Sequence, residues 1–174
     1  SGGLDTLAIR CPSHPVAGRL IQEYGKPLAA PSANRSTTIS PTSADDVATS
    51  LGNLVPLILD GGHCEIGLES TILDLSEDTP ALLRPGNVLL ESLEAIVGSI
   101  YYEKKSTPGS IIKAPGMMHR HYAPHRPLRL NAMDCRPGEA LLGFGLAPTL
   151  PVTLNLSETG DLTEAAANLF KMLR

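Results

Sequence analysis

The residues best suited to chemistry lie in one connection, Pro31 to Thr42. Ser32, Asn34, Arg35, Ser36, Thr37, Thr38, Ser40 and Thr42 put hydroxyls, an amide and a guanidinium on a loop that leaves the apolar stretch Pro27 to Ala30. Hydroxyl and backbone N–H groups hold phosphate oxygens without a fixed charge, and Arg35 adds one. Loops at strand ends are where α/β sheets bind ligands. The same residue types favour turns through their own local hydrogen bonds, so a capped surface turn is the competing reading. Arg10 ends one apolar segment, Glu69-Ser70-Thr71 begins another, and Leu83-Arg84-Pro85-Gly86 ends a third. A single arginine at a strand end usually just reaches solvent. Two of them near a hydroxyl-rich loop make an anion site, because guanidinium forks match carboxylate and phosphate geometry.

Other chemistries are poorly supplied. His119, His121 and His125 are imidazoles in a short stretch, but no cysteine is near and the spacing matches no strong zinc pattern. No Gly-x-Ser-x-Gly elbow is present, and Ser32-Ala33-Asn34 lacks a Ser-x-x-Lys lysine. No Walker A sequence occurs, so a nucleotide site here is not a P-loop.

Composition narrows the class. The 174 residues are 42 % apolar and 18 % charged, as in a soluble globular protein. A net charge of −4 and 3 % aromatics with no Trp leave little for gripping phosphates or stacking bases. No apolar run approaches the roughly 20 residues that cross a bilayer, so no membrane partner is expected. The odd, isolated Cys11, Cys64 and Cys135 form no disulfide framework and fit a reducing, cytoplasmic setting.

The elements that must position these residues read as an alternation of strands and helices. Leu4 to Arg10, Pro27 to Ala30, Val55 to Leu59, Ser70 to Leu75 and Ala81 to Leu83 have strand character. Pro15 opens a helix carrying Val16, Leu20, Ile21 and Tyr24, and Gly25 stops it. Ser43 and Asp46 are spaced as an N-cap pair for a helix ending at Gly52, and Leu90, Leu93, Ile96 and Val97 mark another closed by Gly98. From Tyr101 to Arg126 the chain turns into a Pro- and Lys-bearing linker, flexible in its first half. Leu128 to Leu130, Ala140 to Phe144 and Val152 to Leu154 are strand-like, and Asp161 with Glu164 caps a helix burying Leu162, Ala166, Leu169, Phe170 and Leu173. The expected layout is one α/β portion over 1–100, a linker or lid over 101–126, and the start of a second α/β domain over 127–174.

Taken together, several segments resemble the YrdC-type domain of threonylcarbamoyl-AMP synthases in their two-domain form. They are Asp5 to Pro12, Ala30 to Ser36, Ser40-Pro41-Thr42, Gly67 to Thr71 and Leu83 to Gly86, with the connector Ala114 to Pro124. The resemblance implies a twisted, open, mixed α/β sheet of the YrdC type, then a linker and a smaller Rossmann-like domain, with 1–100 as the carboxy-terminal part of a catalytic domain. It implies an L-threonylcarbamoyladenylate synthase, which takes ATP, L-threonine and bicarbonate and serves the modification of adenosine 37 in tRNA. Mg2+ would arrive with ATP, through the nucleotide, with no protein ligand assigned. Transient contact with tRNA or a downstream threonylcarbamoyl-transfer complex is also implied. By position, Thr6, Ser32, Asn34, Ser40, Arg84 and Tyr122 fall on ATP-binding positions, and Arg10, Ala30 and Ser70 on the threonine pocket. Tyr122 lies in the connector, which in this family closes over the nucleotide. No residue is singled out as catalytic. The alternative is a YrdC-like module that binds double-stranded RNA without catalysis. A related domain in hydrogenase-type maturation enzymes is a further comparison, disfavoured by the absence of zinc-finger cysteines.

Two departures from the family pattern carry expectations. Thr37 stands where the family has glycine, so a positive φ there would strain the loop. The family's Lys/Arg-rich amino-terminal segment is absent from a chain that begins at Ser1, so it reads as an internal piece, inactive alone.

Overall fold

The computed structural model describes residues 3–102, 122–146 and 152–174. Most of the linker half expected to be flexible and most of the expected lid, with His119 and His121, lie outside the described residues. The chain divides into two compact units, Ser1–Ser32 with Glu69–His119, and Ala33–Leu68 with Arg120–Arg174.

In the first unit, helix α1 spans Pro15–Tyr24, with Pro15 in the first turn, where its missing N–H has no helical partner. Gly25 ends it in the left-handed region (φ 68°), its N–H bonded to Ile21 O at 2.9 Å. Strand β1 (Ile72–Asp74) pairs antiparallel with β2 (Ala81–Arg84). Helix α3 (Leu90–Val97) then carries the chain to β3 (Tyr101–Tyr102), which lies parallel to β2. The result is a small mixed sheet in the order β1-β2-β3, with β2-α3-β3 as a crossover unit. Leu82 on the central strand is buried. Tyr101 and Tyr102, which composition assigns to the linker, belong to this sheet.

In the second unit, Ser43 caps α2 (Ala44–Leu51) by accepting the Asp46 N–H, as the Ser-x-x-Asp spacing predicts. A short 3-10 turn, Gly52–Leu54, follows. Strands β4 (Leu142–Gly143) and β5 (Leu154–Asn155) pair parallel, and α4 (Leu162–Leu173) begins at Asp161, whose Oδ1 accepts the Glu164 N–H at 2.7 Å. Gly67 lies where any Cβ would run into the backbone of Ala167, so its hydrogen lets α4 approach this closely. The buried helix residue is Ala165; of the expected apolar face Ala166, Leu169, Phe170 and Leu173 are half-buried, whereas Leu162 is 76 % exposed.

Four of the expected strands do not form among the described residues: Leu4 to Arg10, Pro27 to Ala30, Val55 to Leu59 and Leu128 to Leu130 join no ladder. A strand needs a neighbour for its N–H and C=O groups, which local apolar patterning cannot supply. Leu7, Ile9, Leu57 and Leu59 are correspondingly exposed. No helix among the described residues is long and apolar enough to cross a membrane.

Candidate functional site

Six of the nine candidate residues belong to the first unit. Arg10 donates from Nη2 to Ala30 O at 3.0 Å, so two positions twenty residues apart, both assigned to the threonine pocket, are joined directly. Arg84 reaches Ser70 twice, through Nε to the carbonyl (2.9 Å) and Nη2 to Oγ (3.0 Å). Glu69 Oε2 lies 3.5 Å from the same nitrogen, and both charged side chains are largely buried. Glu69 therefore holds the Arg84 guanidinium, a role that sequence spacing did not assign. Gly86 explains the Arg-Pro-Gly ending: a Cβ there would lie 2.5 Å from Glu69 O and 2.6 Å from Ser70 C. Only hydrogen lets the 84–86 turn press against the segment carrying Ser70. Thr71 adds a second tie, its hydroxyl accepting the Val88 N–H at 3.1 Å. Thr6 and Ser32 are both exposed.

Asn34, Ser40 and Tyr122 belong to the second unit. The Asn34 amide nitrogen donates to Arg35 O (3.0 Å), Thr38 O (3.1 Å) and Thr38 Oγ1 (3.0 Å). Turning the amide over would set its oxygen against two carbonyls, so the orientation is fixed by its surroundings. That leaves Asn34 Oδ1 buried with no hydrogen-bond partner among the described residues. A buried acceptor without a donor is costly and rare in native structures. It is suited to a donor from a ligand.

The loop is built around one turn. Thr38 donates its N–H to Arg35 O at 3.3 Å, and Thr37, between them, has φ 72°. A positive φ at the third residue of a four-residue turn, with Ser36 before it negative, is the type II pattern, which favours glycine. The expected backbone strain at Thr37 is therefore present. Ala123 donates to Thr37 O at 2.9 Å and pairs with Thr38 in an isolated parallel bridge. Tyr122 thus arrives beside this loop, itself at φ 54°, with its ring 5.5 Å from that of Phe170 in a tilted stack.

Ser40 is 7 % exposed, between buried Ile39 and Thr42. Asp46 anchors this stretch by accepting the Thr42 N–H and hydroxyl on Oδ2, at 2.9 and 3.1 Å. Partial burial works to raise the Asp46 pKa; the Thr42 N–H, the Arg174 charge and the Thr42 and Ser43 hydrogen bonds outweigh it, and the carboxyl titrates below its ordinary value. Arg174 was missed in the sequence, where it is simply a cation after a helix. No three His, Cys, Asp or Glu side chains come together as a metal cage among the described residues.

Residues 1–86 match the Sua5/YciO/YrdC family model, described as telomere recombination, and residues 88–174 match that of the threonylcarbamoyl-AMP synthase C-terminal domain. The chain is 47 % identical over 131 residues to a threonylcarbamoyl-AMP synthase of Bacillus subtilis, covering 75 % of this chain and 38 % of that protein. It is 48 % identical over 126 residues to the corresponding protein of Pyrococcus abyssi, covering 71 % of this chain and 37 % of that one. The crystal structure of P. abyssi Sua5 complexed with L-threonine superposes with a TM-score of 0.78 at 36 % identity, covering 99 % of this chain and 55 % of that one. The chain thus spans well under half the length of these two curated relatives. With both family models matched end to end in order, this chain belongs to the two-domain Sua5/YrdC-type family.

Proposed function

We propose that the gene product carrying this chain is an L-threonylcarbamoyladenylate synthase, making threonylcarbamoyl-AMP and pyrophosphate from L-threonine, bicarbonate and MgATP for adenosine 37 of tRNA. The observation that carries this reading is the Arg10–Ala30 hydrogen bond, which sets a guanidinium beside a residue small enough to leave room for an amino acid. Arg10 pairs with the threonine carboxylate, and Ser70 lines the same pocket. Arg84 meets phosphate oxygens, with Thr6, Ser32, Asn34, Ser40 and Tyr122 as further nucleotide contacts. Magnesium comes with the nucleotide, held by its phosphates.

The reaction joins the threonine amine to bicarbonate with loss of water, then a carbamate oxygen attacks the α-phosphorus and pyrophosphate leaves. Neither step needs a protein nucleophile; positioning and stabilisation of phosphate charge suffice. The layout of a catalytic portion over 1–100, a connector over 101–126 and a Rossmann-like domain starting at 127 is part of this reading, supported by the parallel β4–β5 pair leading into α4. So is a cytoplasmic setting, which three cysteines that form no disulfide suit. Transient contact with tRNA or with a downstream transfer complex completes it.

Calorimetric titration of the gene product tests the assignment. Arg10→Ala should weaken L-threonine and leave MgATP nearly unchanged, and Arg84→Ala should do the reverse. A charged hydrogen bond contributes about 1.5–3 kcal/mol, so each loss should be roughly 10- to 150-fold. The opposite pattern of losses rejects the assignment.

A further inference from the structure

Arg174, which follows Leu173 of α4, directs every nitrogen of its guanidinium at the far end of the hydroxyl-rich loop. Nη1 donates to Ile39 O at 2.7 Å, Nη2 donates to Asp46 O at 3.1 Å, and Nε lies 3.1 Å from Asp46 Oδ1. The other Asp46 oxygen takes the Thr42 N–H and hydroxyl. Ser40 therefore sits between a residue gripped by Arg174 directly (Ile39) and one gripped through Asp46 (Thr42). Ile39, Ser40 and Thr42 are all buried, so this is an ordered stretch, and the Arg174 side chain is itself only 17 % exposed. Thr42 O also receives the Cys64 N–H at 2.8 Å, which ties the next segment of the unit to the same point.

The two ends of this grip come from different family regions. Ser40 lies in the region matching the Sua5/YciO/YrdC model, and Arg174 in the one matching the synthase C-terminal domain. We infer that Arg174 is a positioning residue for nucleotide binding: through Ile39 and Asp46 it fixes the backbone on both sides of Ser40. The carboxy-terminal domain thereby sets the shape of a loop that belongs to the other domain. The inference rests on the reading of Ser40 as a nucleotide contact. A planar fork is needed, since three acceptors in three directions are met by one group, and a lysine ammonium on a flexible stem reproduces this poorly.

Hydrogen exchange and ligand titration of the gene product together test it, with Arg174→Met, Arg174→Lys and Asp46→Asn compared against the unsubstituted protein. Arg174→Met should speed exchange of the Thr42 and Cys64 amides about tenfold or more, and leave β1, β2 and α3 unchanged. MgATP affinity should fall about tenfold while L-threonine affinity holds, a split that general loss of stability would not give. Arg174→Lys should recover less than half of the loss. Asp46→Asn, which keeps α4 and its arginine, should speed the Thr42 amide as well. Unchanged exchange at Thr42 and Cys64 in Arg174→Met overturns the brace, as does an equal loss of both ligands. If the unsubstituted protein binds no MgATP, the nucleotide reading fails instead, and exchange alone decides whether Arg174 holds the loop.

Discussion

Replacing Thr37 by glycine should make this protein more stable, although the change removes a side chain and adds backbone freedom. Thr37 occupies the third position of a type II turn closed by the Thr38 N–H on Arg35 O, with φ 72°. An L-residue held in the left-handed region costs roughly 1–2 kcal/mol, and a β-branched one belongs there least. Glycine relieves that strain but loses more chain entropy on folding, about 0.5–1 kcal/mol. The Thr37 carbonyl, which accepts the Ala123 N–H, is kept in either case. The net gain is about 0.5–1 kcal/mol, a rise of roughly 1–4 °C in Tm for a chain of this size. Thr37→Ala separates the two contributions: it keeps a Cβ at positive φ and should gain less than glycine does. Thermal melts of the three proteins under one condition measure this. A glycine variant that melts below the parent refutes the reasoning, because the threonine side chain would then be holding the turn rather than straining it.

Further outcomes follow from the same geometry. Gly86→Ala should cost about 1–3 kcal/mol by overpacking, read as a lower Tm, since its Cβ meets backbone atoms of 69–71 that have no rotamer to yield. Asp161→Ala should cost about 1 kcal/mol through loss of the α4 cap, seen as a lower denaturant midpoint with unchanged slope. The Glu139 carboxyl, hydrogen-bonded by Arg129 and by the Arg136 N–H, is held down to about 2. Its folded pKa lies below the unfolded value, so the stability it lends is complete above about pH 4.5 and is lost as pH falls toward 2. Carbon-detected NMR titration of Glu139 should show that midpoint, and Arg129→Gln should bring it back toward the ordinary glutamate range.

How much of this was legible in the sequence depends on how local each signal is. The ends of α1, α2 and α4 were readable because Pro15, Gly25, Ser43 and Asp161 act on backbone groups within a few residues. The strands were readable only where a partner lies nearby, as for β1 and β2, separated by six residues. Leu4 to Arg10 and Val55 to Leu59 have the right composition, but pairing is a property of two segments. The candidate residues were found by type and order, while the groups that hold them were not. Glu69 beside Arg84 and Arg174 beside Asp46 are contacts across 14 residues or more, and nothing in local spacing announces them. Thr37 is the opposite case: a residue out of keeping with its turn is visible in the sequence once a glycine is expected there.

The central claim is that the gene product activates threonine with ATP, and pyrophosphate release tests it most directly. With L-threonine, bicarbonate and MgATP all present, pyrophosphate should form together with threonylcarbamoyl-AMP. Omitting threonine or bicarbonate should abolish both products. Release of pyrophosphate that ignores threonine and bicarbonate, or duplex-RNA binding with no release at all, would contradict the account.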